Sequence, residues 1–121
     1  MYGNLKLVAP AAASYPIAMA RTSERRRLDL LDFARRLSLS IAALGYSKAA
    51  FARTIDVDRG RLHHWTKGGS YPDPEMLLKM DRMHGLSADW LLSGRMSGLA
   101  QDVVKKIQQT ASGVDRSQPA E

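Results

Sequence analysis

Cysteine is absent from the 121 residues of this chain. A disulfide framework and a thiolate metal site are therefore excluded, and the composition fits a reducing cytoplasm. No apolar run approaches the roughly 20 residues that a membrane-spanning helix needs. Residues 1–20 resemble a secretion signal only superficially, because Lys6 is their one positive side chain and Pro10 and Pro16 interrupt the apolar run. We predict neither a signal peptide nor a membrane association.

Patterns typical of catalysis and metal binding are also missing. The chain has three histidines, and the adjacent pair His63 and His64 would point about 100° apart on a helix, so the two cannot easily share one metal ion. Neither an H-E-x-x-H arrangement nor a glycine-rich phosphate loop occurs. The sequence therefore predicts no catalytic residue, no metal and no cofactor, and an enzyme is not expected.

Negative charge is scarce in the first part of the chain. Residues 1–46 carry 7 positive and 3 negative side chains, and residues 47–71 carry 5 and 2. Residues 72–121 carry 6 and 7, so the residues before 72 hold a charge of +7 and the remainder −1, which gives the net charge of +6. Basic residues concentrated in this way favour a polyanionic partner over a merely solvated surface.

The stretch from Ser47 to Gly68 reads as two short helices joined by a tight turn. Ser47 and Asp58 are suitable N-caps, since their side-chain oxygens can accept from unpaired amides of the first turn. Leu62 and Trp65 lie three residues apart, so both can face a core. The residues left outside are basic: Arg59, Arg61, His63 and His64. A short helix with an apolar back and a basic front suits the major groove of double-stranded DNA.

The order of residues resembles the helix-turn-helix of the phage-repressor and Cro-like family of bacterial transcription regulators. The features that match are Ser47, Ala52, Val57, Leu62 and the closing Trp65-Thr-Lys-Gly68. Tyr71-Pro-Asp-Pro-Glu-Met-Leu-Leu-Lys79 and Gly85-Leu-Ser-Ala-Asp-Trp-Leu-Leu-Ser-Gly94 look like the fourth and fifth helices of that family. The resemblance covers residues 47–94 well and residues 28–44 loosely.

This resemblance implies an all-α, five-helix, lambda-repressor-like DNA-binding domain and a sequence-specific regulator, expected to be a repressor. The positions that would face bases are Arg59, Gly60, His63 and His64, with Arg61 able to reach either a base or a phosphate. We expect a second set to contact phosphates: Ser47, Lys48, Lys67, Gly68 and Ser70. The two glycines after Lys67 could present their amides to the backbone of DNA.

Two residues depart from the family pattern. Asp56 stands in the turn where the family usually carries glycine, at a position that commonly needs positive φ, which aspartate tolerates better than most residues. Gly60 lies inside the presumed reading helix, where glycine is unfavourable by about 0.5–1 kcal/mol relative to alanine. It is either a tolerated small residue or a device for close approach to DNA.

Helical patterns and breakers divide the chain into three parts. Residues 1–23 are expected to form a flexible N-terminal arm, whose basic residues could enter a minor groove or simply remain disordered. Residues 24–94 would hold the domain, with helix one running from a cap near Ser23 to Gly45. Arg35 and Arg36 should stay solvated on that helix. Apolar side chains would form the inner sides of helices four and five: Leu77, Leu78, Met80, Met83, Trp90, Leu91 and Leu92.

Residues 95–121 are expected to hold an extra amphipathic helix over about 99–109 and a disordered tail. Leu99, Val103 and Ile107 recur at four-residue spacing. This stripe could dock on its own domain or on another subunit, and we favour a homodimer that reads an inverted repeat. A different class of function is also open, namely an antitoxin-like, protein-binding module that uses this helix to hold a protein partner.

Overall fold

A computed structural model describes the backbone of residues 3–117 and the side chains of residues 22–113. This part of the chain is entirely helical, which confirms the all-α class. The helices are α1 (Gly3–Ala43), α2 (Lys48–Thr54), α3 (Arg59–Thr66), α4 (Pro74–His84), α5 (Ala88–Ser93) and α6 (Gln101–Ser117). The long α1 packs against α3, α5 and α6, so it is the scaffold on which the shorter helices are assembled.

The first helix begins far earlier than the sequence analysis places it. α1 starts at Gly3 instead of near Ser23, and its backbone runs through the segment expected to be an arm. The alanine-rich composition of residues 9–20 favours helix and offsets part of the cost of Pro10 and Pro16. The side chains of residues 1–21 lie outside the described set, so their contact with DNA stays a prediction. At its other end α1 terminates before Gly45, whose φ of +86° gives the left-handed stop that was expected.

The core forms where the apolar sides of all six helices meet. Phe33, Leu37, Phe51, Leu62 and Met80 are completely buried there. Three of the inward positions predicted for α4 and α5 are wrong, since Leu78, Met83 and Leu92 are 45%, 58% and 42% exposed. These helices are short and rest on the core along a narrow line, so one leucine of each adjacent pair must face outward.

Two polar groups on α1 fasten it to α5. Arg36 donates from Nε to the carbonyl of Leu91 at 2.9 Å and from Nη2 to that of Leu92 at 3.0 Å. The fully buried Ser40 donates to the Arg36 carbonyl at 2.7 Å and accepts from the indole N–H of Trp90 at 2.8 Å. Arg36 is therefore not the solvated residue that was expected, because the last carbonyls of α5 need donors from outside their own helix.

The last helix docks on its own domain. Leu99, Val103 and Ile107 are 9%, 7% and 1% exposed, and they belong to the same core as Phe33. The preferred assignment of this stripe to a subunit contact is therefore wrong, and the alternative considered for it is correct. α1 leaves an apolar side that the short α2–α5 cannot cover, and α6 covers it. α6 also continues to Ser117, well past the expected end near residue 109.

Candidate nucleic-acid interface

The two central helices begin and turn as their sequence predicts. The Ser47 hydroxyl accepts from the Ala50 amide at 3.1 Å, and the Asp58 carboxylate accepts from the Arg61 amide at 3.0 Å. Asp56 adopts a φ of +57°, the left-handed turn conformation expected for it. Ala52 is 1% exposed, and its carbonyl accepts from the Val57 amide at 3.0 Å. The short side chain at position 52 thus lets the turn close directly onto α2.

The outward side of α3 is polar and accessible. Leu62 and Trp65 are buried behind it, whereas Arg59, Gly60 and His63 are exposed in front. These three residues line one shallow depression together with Lys48 from the start of α2. The structure therefore brings together a predicted phosphate contact and three predicted base contacts, at the point where the amino ends of α2 and α3 meet.

Gly60 has no packing reason to be glycine. A methyl group at this position would meet only the Asp58 carboxylate, at an ordinary distance of 3.9 Å. Its φ is not in the left-handed region, unlike that of four other glycines. Because the fold neither needs nor excludes a side chain here, both interpretations of Gly60, a tolerated small residue and a close approach to DNA, stay predictions.

Arg61 lies at the side of the exposed face. Its guanidinium sits 5.4 Å from the centre of the Trp65 ring, and one nitrogen is 4.0 Å from the Asp73 carboxylate. Both contacts draw the side chain toward the start of α4 and away from the Lys48 side of α3. Both interactions are exposed and weak, so the Arg61 side chain can leave them, and both of its predicted roles, a base contact and a phosphate contact, stay predictions.

His64 packs against the loop that follows α3. A side chain at position 69 would collide with its imidazole ring, so only glycine permits this arrangement. The Gly69 amide also donates to the His64 carbonyl at 3.0 Å. This packing role of Gly69 could not be read from the sequence, because a glycine beside a turn carries no signal about which ring it accommodates. His64 remains exposed, but its ring is oriented toward the loop.

The loop glycines do not present free amides, contrary to the prediction made for them. The amides of Lys67, Gly68 and Gly69 donate to α3 carbonyls, which closes the end of that helix. Gly68 has a φ of +84°, and a Cβ there would come within 3.0 Å of the Leu31 side chain on α1. Gly68 thus packs on α1, and the phosphate contact of this loop stays a prediction for Lys67, whose side chain is exposed, and for the half-buried Ser70.

Ser47 and Lys48 are exposed and accessible for the phosphate contacts predicted for them. The Ser47 oxygen accepts the capping bond, so its hydroxyl proton remains available to donate to a phosphate. Lys48 is the first residue of α2 and is exposed beside Arg59. The partial positive charge at the amino end of a helix adds to the attraction of both groups for an anion.

His84, the third histidine, belongs to an aromatic cluster away from the Lys48 depression. Its ring stacks on Phe51 with 4.6 Å between centroids and meets Tyr46 edge-on at 5.2 Å. The Thr54 hydroxyl donates to the Phe51 carbonyl, so its oxygen accepts from the His84 Nε2–H at 2.7 Å. Burial lowers the pKa of His84 below its ordinary value, because the charged ring would lose hydration.

The described residues meet neither the requirements of a metal site nor those of a membrane-spanning helix. No three histidine, aspartate or glutamate side chains among residues 22–113 converge closely enough to hold a metal ion. No helix within the described part of the chain combines the length and apolar character needed to cross a bilayer.

A capped, two-helix unit with a small residue at the crossing and a basic front defines a helix-turn-helix DNA-binding domain. Residues 41–91 match the family model described as helix-turn-helix. This match confirms the resemblance of residues 41–91 to the helix-turn-helix of the phage-repressor and Cro-like regulators. The family comprises DNA-binding regulator domains and is not a family of enzymes. Comparisons with curated proteins and with solved structures found no significant match.

Proposed function

We propose that the protein is a transcriptional repressor that recognises a specific sequence in double-stranded DNA. The observation that carries this proposal is the depression formed by Lys48, Arg59, Gly60 and His63. Arginine can bond both acceptors of guanine, and an open glycine beside it lets the helix backbone approach the base edges. Occupation of a promoter by such a domain excludes polymerase without any further contact surface, which favours repression. A DNA partner would place the protein in the cytoplasm, at the nucleoid.

A homodimer on an inverted repeat is part of the proposal. One reading helix spans only a few base pairs, whereas two copies with half-sites about one helical turn apart give useful selectivity. The surface that joins the copies cannot be the stripe of Leu99, Val103 and Ile107, because those side chains lie in the core of their own chain. Exposed apolar residues elsewhere, such as Leu78 and Leu92, could form such a contact.

The test begins with selection of bound fragments from random duplex DNA by the purified protein, followed by binding measurements on the selected site. Arg59→Ala should weaken the selected site by about 1–3 kcal/mol more than random duplex and relax the preference at one base position. Lys67→Ala should weaken both kinds of DNA about equally and reduce the dependence on salt by roughly one phosphate contact.

The two variants have distinct failure modes. Equal losses on selected and random DNA for Arg59→Ala would show that this residue only positions the protein, and base reading would move to His63 or His64. Recovery of no enriched sequence would reject sequence-specific recognition. Affinity that does not change between low and moderate salt would reject the phosphate contacts, because neutralised phosphates release counterions.

The antitoxin-like alternative loses its main support. It rested on an unpartnered apolar side of the last helix, and that side is buried against α1. Apart from Ala111, the exposed α6 side chains among residues 101–113 are polar or charged, and they include Lys105, Lys106, Gln108 and Gln109. No other observation favours a protein partner, so DNA is the partner that we propose.

A further inference from the structure

α1 projects beyond the domain on the side of the α3–α4 loop. Residues 22–29 are all exposed, and the described contact of this part of the helix with the α3–α4 loop lies at Leu30 and Leu31. At that point Gly68 rests on the helix, with its Cβ position 3.0 Å from Leu31 Cδ2 and 3.6 Å from the Leu30 carbonyl. The part of α1 that precedes Leu30 is therefore held beside the loop that carries Lys67.

Two arginines occupy the first turn beyond this contact. Arg26 and Arg27 lie four residues before Leu30 and Leu31, so they continue the same sides of the helix past the edge of the domain. Arg26 is close enough to Tyr71, at the end of the loop, for its charge to oppose the rise in the pKa of that phenol caused by burial. Asp29 also raises the pKa of Tyr71, so an acidic side chain lies on this side of the helix as well.

Among the side chains of residues 22–113, no firm ion pair neutralises these two charges. Arg27 forms a 3.3 Å ion pair with Glu24, but the two side chains are 65% and 61% exposed. Exposed pairs of this kind contribute little and are readily exchanged for another anion. Arginine forks match phosphate oxygens well, and a helix that is already ordered limits the entropy lost when they bind.

We propose that Arg26 and Arg27 contact the DNA backbone outside the half-site read by α3, and so extend the phosphate-binding surface that begins at Lys67. This inference rests on the proposed function and adds a second element, α1, to the contact with DNA. The bound length of DNA then exceeds what the helix-turn-helix alone covers, and the flank contributes affinity without contributing base preference.

Arg35 provides a matched control on the same helix. It is an exposed arginine in α1 that also pairs three residues back, with Asp32 at 3.1 Å, so it has the same charge and the same kind of ion pair as Arg27. It lies eight residues farther along α1, alongside the domain instead of beyond it. Arg27→Ala and Arg35→Ala therefore change net charge equally and retain helix propensity.

The experiment compares these variants on two duplexes, one limited to the selected site and one extended by a full helical turn on each side. Arg27→Ala should lower the salt dependence by about one and the affinity severalfold on the long duplex, with the short duplex unaffected. The double variant Arg26→Ala/Arg27→Ala should lower affinity for the long duplex by on the order of tenfold. Arg35→Ala should change neither.

Three results would overturn the inference. Equal losses for Arg27→Ala and Arg35→Ala would show a general effect of charge, and equal losses on both duplexes would place Arg27 inside the half-site. Unchanged binding by the double variant, while Lys67→Ala still weakens binding, would remove α1 from the interface and leave the proposed function intact. If the unaltered protein binds neither duplex, the proposed function fails and this inference fails with it.

Discussion

α3 and α6 differ in where their most important residues lie, since those of α3 are on its exposed side and those of α6 are on its buried side. α3 buries only Leu62 and Trp65 and leaves its basic residues and Gly60 in solvent. α6 presents polar side chains to solvent and places Val103 and Ile107 in the core. On the proposed function, DNA recognition depends on the outward side of α3, so a substitution that removes core packing in α6 should not change the residues that face DNA.

The largest effect is expected in α6. Ile107→Ala should lower the free energy of unfolding by roughly 2–5 kcal/mol, because it removes a 1% exposed side chain and leaves a cavity against α1. Urea denaturation measures this loss, and Gln108→Ala on the exposed side of the same helix is the control, expected within about 0.5 kcal/mol of the unaltered protein. A variant of unchanged stability but lower mass in solution would restore the subunit-contact role.

Ser40→Ala should have the next largest effect. Removing the hydroxyl leaves the indole N–H of Trp90 buried without a partner, at a cost of about 1–3 kcal/mol in unfolding free energy. The double variant Ser40→Ala/Trp90→Phe should lose less than the sum of the two single variants, since no unpaired donor remains. Thermal or urea melts of all four proteins complete the cycle. Strict additivity would show that the buried bond contributes nothing.

Gly60→Ala should have opposite effects on stability and on DNA binding. Alanine fits the site, so stability should rise by up to about 0.5–1 kcal/mol, while the added methyl group should weaken binding to the selected DNA. Gly98→Ala is the control, because this exposed glycine also has open space around its Cβ position but lies far along the chain from α3. Stronger or unchanged binding by Gly60→Ala would mean that no close approach occurs there.

The smallest effect concerns pH. Burial lowers the pKa of His84 in the folded protein, so the unfolded chain binds the proton more readily. The stability from the neutral ring is fully present above the ordinary pKa of about 6.5 and is lost as pH falls from there toward the lower folded value. Urea denaturation between pH 8 and 5 should show this decline, and His84→Gln should reduce it. An identical decline in the variant would assign it to other groups.

Local chemistry made the central unit predictable. Ser47 and Asp58 cap the helices expected of them, Asp73 and Ser87 cap α4 and α5 in the same way, and Gly85 and Gly94 end α4 and α5 with positive φ. These signals act over a few residues and therefore can be recognised without knowledge of distant contacts. The basic front of α3 was predictable for the same reason, since it follows from the spacing of Leu62 and Trp65.

Other assignments depended on groups that are far apart in sequence. Whether Leu78 and Leu92 face inward depends on how much of α4 and α5 the core can cover, and periodicity does not contain that information. The amides of Gly68 and Gly69 were misjudged because their acceptors belong to the preceding helix, whose last carbonyls had to be satisfied. Arg36 is another such case, since its partners, the carbonyls of Leu91 and Leu92, lie 55 and 56 residues away.

The sequence by itself determined the helix boundaries of the central unit, its turn at Asp56 and the basic character of α3, because capping, φ preference and helical spacing are local properties. Only the tertiary structure decided that α6 closes the core of its own chain, and that Leu30 and Leu31 meet Gly68 of the α3–α4 loop. An apolar stripe specifies that a surface must be buried, but the free energy of burial is nearly the same against any apolar partner. The shape of the apolar surface that the other helices leave uncovered determines which segment packs there.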